Sequence, residues 1–501
     1  LCHSDSPLAN THSEGNADDI EEDHMLLGLL FLSIHRVLHK LALAELRESY
    51  SNEKCNAREH FDYICPTAKF VVYPFNKADV GMGVAFRNVM VPAILNTVGI
   101  GRIPIFLDGV NVTTTVGEGG QQKISIQPTL PGRSKSTSCD RDDMQCMFLP
   151  LSPCVLTWDE LNGLNENVIV SAGNSTSGQP KLLSYAQDPK LNEERIWVVT
   201  GGVVGPYFEQ NEVRYNPLAV QTRKRLYKVA KRIVEDTFGR NEEDYGKWSR
   251  VLGRILEPHI QSKNVTTYYQ DKNTLVHAAL LYVLRPRPSV LQRVRAKAAG
   301  IINSSQDGDR AIGLMIRASG KCQSEPTCLP QKAYPDLVMD LVKETGISNV
   351  ILSSESSNTI QFVKNRVTTS NDTIKIITNT DDTLPGNEKT RSWEGKSMPA
   401  DDVIFSSLVA LRLQLSTDQV VGNCCSNFHQ VLLDLHRAGC GRRRRRLPEE
   451  QQQTTTPPGV RCLSDLSDSK YHVCCLFTRS TECTGRRGEV VGQKTQTKEK
   501  K

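Results

Sequence analysis

The sequence predicts an α/β protein of two domains, each a parallel sheet wrapped by helices. Three observations lead there. In the second half, apolar runs at 312–316, 350–352, 374–377 and 419–421 alternate with helical stretches near 335–345 and 402–415, the β-α-β rhythm of a doubly wound sheet. In the first half, shorter β-type runs at 70–73, 103–107, 168–170 and 196–199 are separated by helical and loop segments. The 501 residues, 38% hydrophobic and 23% charged, exceed what one hydrophobic core usually organises, and they are too apolar for a disordered chain.

Taken in order, residues 1–24 are polar and acidic, and 1–65 read as an acidic N-terminus followed by a stem helix. In that helix Leu27, Leu30, Ile34, Val37 and Leu41 recur at three- and four-residue spacing, little over two heptads. The pattern suits either a stem that pairs two copies as a homodimer or one amphipathic helix packed on the body. The apolar run at 25–34 is shorter than the ~20 residues of a membrane-spanning helix, and with Leu at position 1 a signal anchor upstream stays open. Residues 66–300 make the first α/β domain. Within it, 110–160 is rich in Gly, Ser, Thr, Pro and Cys and reads as a cross-linked insertion outside the core. A basic helix follows, with Leu226, Val229, Ile233 and Val234 on one face. Residues 301–440 form the second domain, and 441–501, opening on five arginines at 442–446, read as a low-complexity loop and a Cys-rich basic tail.

The charge balance, 61 Lys and Arg against 56 Asp and Glu, excludes a protein whose main task is coating nucleic acid. Fifteen cysteines without a C-x-x-C pair argue against a zinc knuckle or a thioredoxin-like motif. Together with N-x-S/T sequons at Asn111, Asn174, Asn264, Asn303 and Asn371, they fit an oxidising secretory compartment. Walker, H-E-x-x-H, G-x-S-x-G and EF-hand motifs are absent. Two D-x-D triplets, at Asp140 and Asp142 and at Asp307 and Asp309, sit in polar loops, and no metal site is expected of them.

Two constellations remain. Gly81, Met82 and Gly83 follow a strand and open a helical run, so the backbone there can pass close to a phosphate or sugar, or simply make a tight turn. After the strand 312–316 come Arg317, Lys321 and Glu325, with Tyr334 opening the next helix. An arginine at a strand's carboxyl end can hold a diphosphate bidentately. A carboxylate beside a lysine is held ionised and can take a proton from an attacking hydroxyl. By residue type alone they also read as surface charges after a strand.

The order of these segments resembles the core α1,6-fucosyltransferases and the related nodulation fucosyltransferases. Tyr282 to Pro288, with Leu284, Arg285, Pro286 and Pro288, is similar to the family's L-I-R-P-x-P segment. Arg317 and Lys321, with Glu325 beyond, resemble its H-x-R-R-x-D-K strand end, and Gly81, Gly83, Phe86 and Arg87 resemble its donor-side loop. Val350 to Ser356 and Ser416 to Asn427, with Asp418 and Ser426, resemble its later strands, so the likeness spans about 66–436. It implies a GT-B-like fold of two Rossmann-like domains, GDP-fucose as donor, no cofactor or metal, a glycan or glycoprotein acceptor such as the N-glycan core, the Golgi lumen, and inversion in one displacement. Carried over, Glu325 is the base, Lys321 orients it and Arg317 binds the departing diphosphate, while Tyr334, Glu355 and Ser426 stand at donor-contacting positions. The family's His, second Arg, Asp before the Lys, and guanine-binding Asp fall at Met315, Ala318, Gly320 and Ala410, none of which offers the same hydrogen bonds. A catalytically silent glycan- or nucleotide-binding relative is therefore the alternative. Cys322 and Cys328 bracket Glu325, and a disulfide between them is expected to fix that carboxylate.

Overall fold

The computed structural model describes residues 18–43, 63–65, 67–75, 82–108, 110–116, 122–128, 147–149, 151–152, 154–156, 160–161, 164, 169–171, 181–200, 217–238, 242–256, 274–303, 310–318, 331–379, 400–423, 426–436 and 460–462. Helix α1 (Asp18–Leu43) and β1 (Tyr63–Ile64) precede the first sheet unit. That unit runs β2 (Phe70–Phe75), a π-helical turn α2 (Val84–Met90) continuing into α3 (Val91–Ile100), β3 (Ile103–Asp108), the hairpin β4 (Val110–Val116) and β5 (Gln122–Pro128), then β6 (Cys154–Val155) and β7 (Ile169–Ser171). Helices α4 (Lys181–Gln187) and α5 (Pro189–Glu193) lead to β8 (Ile196–Thr200). The described residues then continue with α6 (Pro217–Phe238), α7 (Glu242–Leu256), α8 (Thr274–Val283) and α9 (Pro288–Asn303). The second unit is β9 (Ala311–Ile316), α10 (Ala333–Thr345), β10 (Asn349–Ser354), α11 (Ser357–Ser370), β11 (Lys375–Thr378), α12 (Ala400–Leu415), β12 (Gln419–Gly422), α13 (Asn427–Leu435) and β13 (Val460–Cys462).

Both main sheets are wholly parallel, in the orders β3-β2-β8-β7 and β11-β10-β9-β12-β13. Two parallel α/β units in tandem are the GT-B-like architecture that the sequence predicts. In the second sheet the chain lays β10 and β11 on one side of β9, then crosses to place β12 on the other, so the order reverses between β9 and β12. All six residues of β9 are buried, as helices on both faces require. Ile312, Leu314 and Ile316 pack with Leu337, Leu341 and Val363 on one face, while Met315 faces the larger core that holds Val294, Leu408 and Leu411. At Gly313 a Cβ would run into Gln414 Oε1 and lie 2.8 Å from Thr417 Oγ1, so only glycine lets α12 sit this close. Gln414 is buried and donates to the Ile351 carbonyl (3.0 Å) and Ser353 Oγ (2.9 Å), tying α12 to β10.

In the first unit, the buried Arg102 guanidinium lies 3.4 Å over the Trp197 ring. It donates to the carbonyls of Phe70, Arg195, Asn192 and Glu194, closing the amino end of the sheet. Burial draws its pKa down to about 9, partly offset by Glu194, so it remains charged at neutral pH.

Several expectations are corrected. The heptad residues Leu27, Leu30, Ile34 and Val37 are buried within the protein's own core, where α1 packs on α6, α7 and α8. That seam is unavailable to a second copy, so the packed helix replaces the dimerising stem, and α1 belongs to the first unit rather than to a separate 1–65 segment. Extended past residue 34, the window Met25–Ala42 is long and apolar enough to cross a membrane (mean hydropathy 1.4), but 61% of it is buried in the protein. The end of the 110–160 insertion is core: Met147 and Phe148 are buried, and the backbone of 147–149 pairs with Arg285 and Arg287. The cross-link expected there joins Cys154 to Cys65, beside the β1–β6 pair. Helix α9 packs on α12, with Arg293 over Phe405, so the boundary lies before Pro288 rather than at residue 300. Finally, Val460–Cys462, within the expected low-complexity tail, forms the edge strand beside β12.

Candidate functional site

In an open α/β sheet, ligands bind beyond the carboxyl ends of the strands where the strand order reverses, because there the flanking helices diverge and leave a crevice. In the second sheet this point lies between β9 and β12. Arg317 is the first residue after β9, and Asn423 the first after β12. Glu355 directly follows β10, Tyr334 lies in the first turn of α10, and Ser426 is the N-cap of α13. The structure thus gathers Arg317, Tyr334, Glu355 and Ser426 at one end of one sheet.

Their contacts explain the arrangement. Glu355 Oε1 lies 3.9 Å from Arg317 Nη1 and accepts a hydrogen bond from the Ala318 amide (3.3 Å), so one carboxylate orients both the side chain and the backbone at the end of β9. Arg317 is largely buried, with 14% of its side chain exposed. Tyr334 is fully buried; burial first and Glu355 second raise its pKa, against the opposing pull of Arg317, so the phenol stays protonated. Ser426 is buried, and its side chain makes no capping hydrogen bond. The α13 N-terminus at this crevice presents backbone N–H groups of the kind that suit a phosphate.

His429, not singled out from the sequence, completes the group. Its Nδ1 accepts the Asn423 amide hydrogen at 2.9 Å, which in a neutral ring leaves the proton on Nε2. Burial, and secondarily the nearby Arg317 charge, lower its pKa from 6.5 to about 3. The unfolded chain therefore binds more protons between these values, so the stabilisation is complete above pH 6.5 and is lost as pH falls toward 3. His35 on α1, lowered to about 4 by burial and by His39, acts in the same direction, so a variant must separate the two. Between pH 6.5 and 4 the parent's unfolding free energy is expected to fall more steeply than that of His429→Gln, by up to about 1.4 kcal/mol per pH unit. Denaturant melts over that range check this; equal slopes would show that His429 does not have to be neutral. Inspecting the turn after the run 419–421, as the switch-point rule directs, would have found this histidine.

The first unit places its residues differently. Gly83 caps α2 in a right-handed helical conformation, so the segment opens a helix as expected. Phe86 is buried, its ring edge against Phe148 at 5.0 Å, which leaves only its backbone to meet a ligand. Arg87 Nε is held by Asp434 at 2.9 Å. Asp418 lies at the opposite end of the second sheet, where its carboxylate and backbone bracket Ala311. Met315, at the position of the family's histidine, is buried in the core. Gly81, Lys321, Glu325, Cys322, Cys328 and both D-x-D triplets lie outside the described residues.

No protein-family model and no curated protein matches the chain. Solved structures do. A variant of Arabidopsis thaliana FUT1 in complex with GDP is similar at 12% identity, over 85% of this chain and 79% of that one, with a TM-score of 0.38. POFUT1 in complex with GDP-fucose is similar at 8% identity, over 79% of this chain and 98% of that one, with a TM-score of 0.33. POFUT1 in complex with GDP is similar at 9% identity, over 74% and 97%, again with a TM-score of 0.33.

Proposed function

We propose that this chain is an inverting glycosyltransferase that transfers fucose from GDP-fucose to a glycan acceptor, with the α1,6 position of the N-glycan core as the first acceptor to try. The observation that carries the reading is Arg317, a largely buried cation at the carboxyl end of β9, at the switch point and beside an imidazole held neutral. A diphosphate is the ligand such a site suits: it offers paired oxygens to the guanidinium and accepts from α13 N–H groups. The fucosyltransferase-like order of motifs along the chain narrows the donor.

In the reaction, the bond from the fucose anomeric carbon to the diphosphate oxygen breaks as the acceptor oxygen attacks from the opposite face. Arg317 offsets the charge that gathers on the departing GDP. Glu325 takes the acceptor hydroxyl proton and Lys321 orients it, roles assigned from the motif alone. Release of GDP from GDP-fucose with a mixed N-glycan pool tests this: acceptor-dependent release that collapses in Glu325→Gln supports it, and no release from any GDP-sugar overturns it. A silent nucleotide-binding relative is the second reading, favoured by the buried Met315; it predicts GDP binding without turnover.

The Cys65–Cys154 disulfide supports a secretory location, with the Golgi lumen the natural compartment for this chemistry. The sequon at Asn371 ends α11 in an exposed turn, where Thr373 Oγ1 donates to Asn371 Oδ1 at 2.7 Å. Protein from a secretory host is expected to carry a glycan there. Conversion of Asn371 to Asp after enzymatic deglycosylation, read by peptide mass spectrometry, checks it; an unmodified peptide would show that this turn is not a glycosylation acceptor.

A further inference from the structure

Arg87 Nε donates to Asp434 Oδ2 at 2.9 Å, and His277 Nε2 lies 3.5 Å from Asp434 Oδ1. The aspartate and histidine side chains are only 3% and 5% exposed, and Arg87 is 27% exposed. Phe86, Met90, Ala278 and Leu433 are apolar neighbours of these three residues in sequence and belong to one buried cluster. Burial works against the carboxylate's charge, but Arg87 and His277 outweigh it and hold the Asp434 pKa below the usual carboxylate range. Three elements meet at this carboxylate: α2, which follows β2 of the first sheet; α13, which follows β12 of the second; and α8 between the units.

The placement matters because both sheets reverse their strand order here. In the first sheet, β3 lies on one side of β2 and β8 on the other; in the second, β10 lies on one side of β9 and β12 on the other. α2 is capped by Gly83 on the chain that follows β2, and α13 is capped by Ser426 on the chain that follows β12. The ion pair therefore joins the two helices whose N-terminal ends stand at the two crevices. An apolar pair would hold the helices together but would let them slide; a buried carboxylate fixed by a guanidinium permits one register.

We infer that Asp434 is a positioning residue: through Arg87 it locks α2, with its Gly83 cap, in register with α13 at the β12 end of the nucleotide crevice. The inference rests on the reading of that crevice as a GDP site, and its test separates the two. The full chain, Asp434→Asn, Arg87→Met, Arg87→Lys and the double variant Asp434→Asn/Arg87→Met are compared by hydrogen exchange without nucleotide and by GDP titration, at a temperature where all are folded. Each of the first two substitutions is expected to raise exchange in both 84–90 and 427–435 while β2 and β9 stay as protected as in the parent. GDP affinity is expected to weaken about tenfold. The double variant is expected to be no worse than either single, and Arg87→Lys, which keeps the cation, to recover part of both effects. Exchange rising only in the substituted helix, or additive single effects, would overturn the inference. If the parent itself fails to bind GDP, the functional reading falls, and the exchange data alone decide the positioning role.

Discussion

Arg317→Ala is expected to weaken GDP binding about a hundredfold, the loss of two charge-assisted hydrogen bonds at ~1.5 kcal/mol each. The substitution removes a guanidinium at the carboxyl end of β9 and the positive charge that Glu355 faces at 3.9 Å, so a phosphate there meets more negative charge. Both changes act in the same direction. Arg317→Lys should recover only part of the affinity, because an ammonium is a point charge and cannot match two oxygens at once. Glu355→Gln offers a milder check: it keeps an acceptor for the Ala318 amide but loosens the hold on Arg317, so GDP affinity is expected to change far less than in Arg317→Ala. Titration calorimetry on the three variants measures this. Wild-type affinity in Arg317→Ala would mean that the diphosphate, if bound, sits elsewhere.

The largest expected effect on stability lies far from the crevice. Arg102→Ala should cost about 3–5 kcal/mol, because it strips the shared donor from four carbonyls and uncovers the face of Trp197. Arg102→Lys cannot reach that many acceptors from one ammonium and should recover little. Urea unfolding followed by fluorescence measures the loss. A change under about 1 kcal/mol would place Arg102 with ordinary surface charges and contradict its role in closing the amino end of the first sheet.

Much of the second unit is legible in the sequence because its strands are fully buried. Continuous apolar runs such as 312–316 have few alternative explanations when they alternate with helical stretches, and the residues just after them are the ones that the switch-point rule singles out. Arg317 is one of these residues. The same rule reaches His429, but a histidine in the first turn of a helix carries no signal of its own until the helix is known to start after Ser426. Edge strand β13 is only three residues long and sits near a run of arginines, so neither length nor pattern marks it; pairing with β12 makes it a strand. Helix α1 shows a different limit. Three- and four-residue spacing defines an apolar face, but a face that meets a second copy and one that meets the body's own helices look alike in sequence. Arg87 and Phe86 show the same limit: adjacent residues on a helix point to different surroundings, and only the packing shows that one belongs to the core and the other to Asp434.

The account depends on the crevice between β9 and β12 being the nucleotide site, and hydrogen exchange with and without GDP tests that most directly. GDP is predicted to slow exchange at the amides of Arg317 and Ala318 and at those of 426–429, with a smaller effect on 82–90. Unchanged exchange at both strand ends, in protein shown by calorimetry to be saturated with GDP, would contradict it.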